Sequence, residues 1–102
     1  MTDIKAAEPR FALGRFTMTS GAVHALGEAG QTSGEILARH RRLEQGELSQ
    51  EDHYANAISL SDGSRILSAF LLSTGVKIWV ITEAVDDMGK RWSTTMLLPS
   101  DY

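Results

Sequence analysis

The spacing of apolar and polar positions changes once along the chain, at Gly63. Before it, apolar residues recur at the intervals of short helices; after it, they run in near-continuous blocks. Residues 11–19 alternate imperfectly, with Phe16 and Met18 on one side, and predict a short edge strand. Thr19 or Ser20 can cap a following helix, because a hydroxyl accepts from the free amides of a first turn. Ala22, Val23 and Leu26 form the apolar side of that helix, and Gly30 is its natural stop. Thr32 followed by Glu35 has capping-box spacing and opens a second helix bearing Ile36, Leu37 and Leu43. Arg39, Arg41 and Arg42 fall in its last turns, where cations oppose the helix dipole, and Gly46 ends it. Ser49 with Asp52 resembles another cap. The helix it begins carries Tyr54, Ala57, Ile58 and Leu60 as its buried side and stops at Asp62-Gly63.

Residues 65–72, 76–83 and 92–98 are apolar, rich in β-branched and aromatic side chains, and separated by turn signals. Ser73-Thr74-Gly75 suits a tight hairpin, Asp86-Asp87-Met88-Gly89 a longer one, and Pro99 ends the last strand. The order is β-α-α-α-β-β-β. It predicts an α+β fold with an N-terminal strand, two to three helices and a three-stranded antiparallel meander. If Leu72 opposes Val76, Arg65 opposes Glu83, and opposite charges across strands favour that register. Leu67, Ala69, Trp79 and Ile81 then share one face, and Ile66, Ser68, Phe70, Ile78, Val80 and Thr82 the other. For the last strand we expect Thr95 beside Val80 and Ser93 beside Thr82. That register gathers Ser68, Thr82, Ser93 and Thr95, hydroxyls that need one another, water or a ligand as partners.

The 102 residues fit one domain, with residues 1–10 as a flexible arm and 11–102 as the folded unit. The absence of cysteine excludes disulfides, thiolate nucleophiles, iron–sulfur clusters and cysteine zinc sites. A net charge of −3 argues against a strongly basic nucleic-acid-binding domain but leaves a local basic patch open. No signal-like segment and no apolar run near membrane-spanning length occurs, so the expected location is cytoplasmic, without membrane contact.

His24, His40 and His53 lack the spacing that places two imidazoles on one helix face, and no metal is expected. Phosphate-loop, dinucleotide-loop and nucleophile-elbow motifs are absent, and no cofactor is expected. Arg39-His40-Arg41-Arg42 is the densest basic run; it reads as a solvated helix end, or alternatively as a phosphate contact with His40 as an acid–base group. Trp79 reads as core, and Trp92 as the exposed stacking candidate. Arg65 and Glu83 read as a structural pair, or as an anion holder with a base. The residues to watch as a binding or active cleft are Arg65, Ser68, Glu83, Arg91, Thr95, His40 and Asn56.

Asp62-Gly-Ser-Arg-Ile-Leu-Ser, Lys77-Ile-Trp-Val-Ile-Thr-Glu-Ala and Thr95-x-Leu97-Leu98-Pro99-x-x-Tyr102 carry a resemblance. Phe11-x-Leu13-Gly14, Leu37-x-x-His40, Gly46-Glu47-Leu48 and Asp52-x-x-x-Asn56 extend it. Together they resemble a family of short, uncharacterised "plasmid-related" bacterial proteins of mobile elements. The chain departs from the family pattern at Glu44-Gln45 and in its longer 85–91 loop. The resemblance implies a mobile-element accessory protein and supplies no activity. The element order is also similar to the small toxin ribonucleases of the barnase and RelE type, an architectural likeness alone. The leading expectation is a non-enzymatic binding module with a protein partner or a second copy of itself. The alternative is a metal-independent ribonuclease, with nucleic acid as partner.

Overall fold

The computed structural model describes residues 10–44 and 50–102, and of His53 the backbone alone. Expectations for the arm before Arg10, for Gly46, for Ser49 and for the His53 side chain lie outside the described residues. Strand β1 (Arg15–Met18) is followed by helices α1 (Ser20–Ala29), α2 (Ser33–Arg41) and α3 (Gln50–Asp62), then strands β2 (Ile66–Leu71), β3 (Lys77–Thr82) and β4 (Ser93–Leu97). A 3-10 turn, Pro99–Asp101, closes the chain.

The helix ends follow their capping chemistry. The Thr19 hydroxyl accepts from the Ala22 amide at 3.1 Å, and Thr32 accepts from Glu35 at 3.2 Å. Gly30 ends α1 in the left-handed region, with its own amide on Gly27 and that of Gln31 on Leu26. Helix α2 stops at Arg41, earlier than the Gly46 signal suggests. Leu43 itself takes the left-handed position (φ 62°), and the amides of Leu43 and Glu44 return to the carbonyls of His40 and Arg39. Glu44 then holds Arg42 at 2.7 Å and Arg39 at 3.6 Å.

The α+β class holds, but the sheet is a mixed four-stranded one in the order β1-β4-β3-β2. β1 adds to the meander in parallel with β4, matching Thr17 to Thr95, so the sheet is not a three-stranded antiparallel one. β1 stands at an edge, as its imperfect alternation suggests. The β2–β3 register is the expected one, with Ser68 opposite Val80 and the Leu72 amide on the Val76 carbonyl. The β3–β4 register differs from expectation by one residue. Thr82 opposes Thr94, and Ile81 opposes Thr95. A slip of one residue exchanges the faces of a strand, so Thr94 and Met96 face inward, and Ser93, Thr95 and Leu97 outward.

The core lies between the inner face of the sheet and helices α1 and α2. Ala22, Ala25, Leu26 and Ile36 meet Phe70, Leu72, Ile78, Val80 and Met96, with Phe16 and Met18 of β1 packed against them. Val23, expected inward, is exposed. Helix α3 departs further from its pattern: Tyr54, Ala57 and Ile58 face solvent, and Asn56 and Ser59 are buried. The reason is its neighbour. α3 lies along the free edge of β2, where backbone amides and carbonyls, not side chains, are the surface to satisfy. Asn56 donates to the Leu67 carbonyl and accepts from the Leu67 amide, standing in for one residue of a missing strand.

Candidate functional site

The inward hydroxyls meet a histidine. His40 comes down from the last turn of α2 onto the sheet, and it, Ser68, Thr82 and Thr94 are all fully buried. His40 Nδ1 lies 2.5 Å from Ser68 Oγ, and Nε2 lies 2.8 Å from Thr82 Oγ1. Thr82 Oγ1 lies 2.7 Å from Thr94 Oγ1, and Thr94 donates to the Leu13 carbonyl at 2.8 Å. Each hydroxyl has one proton, so that last bond orders the whole chain. Thr94 spends its proton on Leu13 and must accept from Thr82. Thr82 must then accept from His40, which places an imidazole proton on Nε2. A neutral ring completes the order, because Ser68 can then donate to Nδ1. Burial agrees, holding the His40 pKa down at about 4. The Phe11 ring closes over the imidazole edge-on, with centroids 5.2 Å apart.

A serine beside a histidine invites a catalytic reading, since a neutral imidazole can take a serine proton. Here both groups are sealed in the core, and the far nitrogen is held by a threonine hydroxyl, not a carboxylate. A substrate atom has no access to Ser68, so the arrangement acts as a satisfied polar network that fixes α2 and the N-terminal segment on the sheet.

The seven residues expected to share a cleft are dispersed. His40 and Ser68 belong to the buried chain, while Asn56 serves the β2 edge. Arg65 is exposed at the start of β2 and donates to the Tyr102 hydroxyl at 2.9 Å. That bond is the main cause of its raised pKa; the charge of Glu83 adds to it. Glu83 stands opposite Arg65 in register, yet no ion pair within 4.0 Å joins them among the described residues. Thr95 faces outward, 3.2 Å from the Thr17 hydroxyl. The basic run also scatters: Arg39 stacks on Phe70 at 4.6 Å, Arg42 pairs with Glu44, and Arg41 Nε is buried without a partner.

Arg91 has an unusual setting. It is 8% exposed and bonds three carbonyls, those of Ser64, Glu83 and Ser59. The Ser59 carbonyl belongs to the end of α3, so the guanidinium meets the negative pole of that helix. Burial pushes its pKa down. Thr94, Leu13 and Phe11 are the members of these settings that sequence reasoning missed. Thr94 was one register step from being found, and the other two lie in a segment without regular structure.

The outer sheet face has a different character. Leu67, Ala69 and Leu71 of β2, Trp79 and Ile81 of β3, and Leu97 of β4 share it. α1 and α2 occupy the opposite face, and α3 sits at the edge. Among the described residues, Tyr102 is what crosses the outer face, its ring edge-on to Trp79 at 5.7 Å and its hydroxyl on Arg65. Trp79 is therefore half-buried instead of core, and Leu71 is 53% exposed. Trp92, as expected, is exposed, with Lys90 over its ring at 4.1 Å. Among the described residues, no group of three or more His, Cys, Asp or Glu is arranged to hold a metal ion, and no helix is long and apolar enough to cross a membrane. No protein-family model, no curated protein and no solved structure matches the chain.

Proposed function

We propose that the chain is a non-enzymatic interaction module that pairs with a second copy of itself through the outer sheet face. The observation that carries this reading is that face: a row of apolar side chains centred on Trp79, crossed among the described residues by one tyrosine and by no helix, with Leu71 exposed. Its composition supports an interface. The centre is apolar and aromatic, and Arg15, Arg65, Lys77 and Glu83 form a charged rim, the usual anatomy of a protein contact surface. On this face Leu71 is open to water and Leu67 and Trp79 are partly so, while Ala69, Ile81 and Leu97 are buried; the exposed apolar part is what a partner would cover. The sequence resemblance to plasmid-related proteins favours an accessory role on a mobile element. A cytoplasmic setting accords with both.

The ribonuclease alternative has less to stand on, because its candidate residues do not converge and the histidine is sealed and neutral. The test is light scattering over a concentration series with the wild-type chain and Leu71→Asp. The wild type is expected to assemble, and the variant, altered at an exposed position, to remain a folded monomer. A wild-type chain that stays monomeric at about millimolar concentration refutes the proposal. Chelator-resistant cleavage of RNA by the purified protein, lost in Arg65→Ala, would establish the alternative instead.

A further inference from the structure

A cavity of about 480 Å³ opens between the N-terminal segment, the end of α3 and the β3–β4 loop. Its walls include three cations, Arg10, Lys90 and Arg91, and the apolar side chains of Phe11, Leu60 and Val85, and none of its described lining residues is acidic. Two loop carboxylates stand near, and the charge of Asp62 also acts on Arg91 from beyond ion-pair distance. Asp86 accepts from the amides of Met88 and Lys90 and from the Trp92 indole, and Asp62 accepts from Ser64.

The cavity is built in advance. Residues 10–14 have no helix or strand, yet they are fixed at several points: Arg10 donates its amide to the Arg41 carbonyl, Leu13 accepts from Thr94, and the Arg15 amide binds Trp92. Gly14 sits at φ 66° so close to Arg91 and Trp92 that an added Cβ would overlap their backbone. Arg91 is held at the back by its three carbonyls, which use three of its five N–H bonds and leave Nε–H and one Nη2 hydrogen without a partner among the described residues. No carboxylate within 4.0 Å neutralises it among the described residues. A largely buried arginine with donors to spare, two further cations beside it and apolar walls is a setting for an anion that brings its own apolar body.

We propose that this cavity binds a phosphate monoester carrying an apolar ring, of the size of a nucleoside monophosphate. Three lining cations, with no acid among the described lining residues and Asp62 acting on Arg91 only from beyond ion-pair distance, favour a dianion over a carboxylate, and a phosphate monoester carries nearly two charges at neutral pH. The volume falls in the range of small-molecule sites. The ring would lie against Phe11, Leu60 and Val85, and the phosphate against the cations. None of these residues belongs to the outer sheet face, so the site stands apart from the proposed interface.

Isothermal titration calorimetry with adenosine monophosphate, inorganic phosphate and adenosine tests it. The monophosphate is expected to bind, phosphate to compete more weakly, and adenosine to show no binding at the same concentrations. Raising salt from about 20 mM to about 200 mM should weaken the monophosphate complex. The double variant Arg10→Ala/Lys90→Ala, altered at two exposed positions, should weaken it about tenfold or more with an unchanged circular dichroism spectrum. A trinucleotide with a 5′-phosphate, compared with the free monophosphate, identifies the source: tighter binding of the trinucleotide assigns the site to a strand end, equal binding to a free nucleotide. Adenosine binding as well as its monophosphate, affinity indifferent to the double variant, or no heat with the monophosphate at about 10 mM would each overturn the proposal.

Discussion

The ordered chain through His40 makes stability depend on pH in a narrow window. The ring's pKa is held at about 4 in the folded protein against an ordinary 6.5. Below 6.5 the unfolded chain takes up a proton that the folded chain refuses, so unfolding is favoured as pH falls. The slope is about 1.4 kcal/mol per pH unit, and the loss is complete below the folded value, near a total of about 3 kcal/mol. That is a large share of the roughly 5–15 kcal/mol that holds a domain together. The lowered carboxylates act elsewhere. Glu44, held chiefly by its bond to Arg42, and Asp62, Asp86 and Asp101, held chiefly by bonds to Ser64, the Lys90 amide and Thr19, all have depressed values. Their stabilisation is present above their ordinary values of 4.5 and 3.8 and is lost as pH falls through the lower folded ones. Among the described groups with a shifted pKa, His40 is the one that titrates in the interval above them. Urea unfolding followed by far-ultraviolet circular dichroism, from about pH 7 to about pH 4.5, should show a falling midpoint with an unchanged slope in denaturant. Nuclear magnetic resonance titration of the His40 imidazole checks the cause directly. A flat stability profile across the window, or an imidazole that titrates near its ordinary value in the folded protein, refutes the reasoning.

Thr82→Val keeps shape but strands the buried His40 Nε2–H, and should cost about 2–3 kcal/mol in urea unfolding, whereas Thr95→Val on the outer face should stay within about 0.5 kcal/mol. Asn56→Ala removes two bonds to Leu67 and should cost about 2 kcal/mol while baring the β2 edge, so light scattering should report strand-edge aggregation on heating. Gly14→Ala forces a Cβ into the backbone of Arg91 and Trp92 at a left-handed position, and a melting experiment should show a loss of about 2 kcal/mol or more.

Local signals wrote much of this fold plainly. Thr19, Thr32 and Gly30 marked helix ends because caps are chemistry between near neighbours. The β2–β3 register followed from Ser73-Thr74-Gly75, since a short loop closes in one way. The longer loop after β3 closes in more than one, and it closes through a bridge between Val85 and Arg91 that sets Thr94, not Ser93 or Thr95, on the inner face. The parallel pairing of β1 with β4 has no local signature at all. Ser68 and Thr82 were visible as hydroxyls in want of partners. Their partner, His40, lies 28 and 42 residues away, and nothing in a helix-end basic run says which member turns inward. α3 misled because burial there is of polar groups: Asn56 and Ser59 serve a strand edge and look, by periodicity alone, like a solvent face.

The outer face is the centre of the functional account, and Trp79 lies in the middle of it. A Trp92→Phe chain, altered at an exposed position, leaves Trp79 as the single indole. Its emission should shift to shorter wavelength as concentration rises from about nanomolar to about millimolar, in step with the mass seen by light scattering, because pairing removes the half-exposed ring from water. Emission that stays constant over that range, from a chain that remains a monomer, would contradict the account.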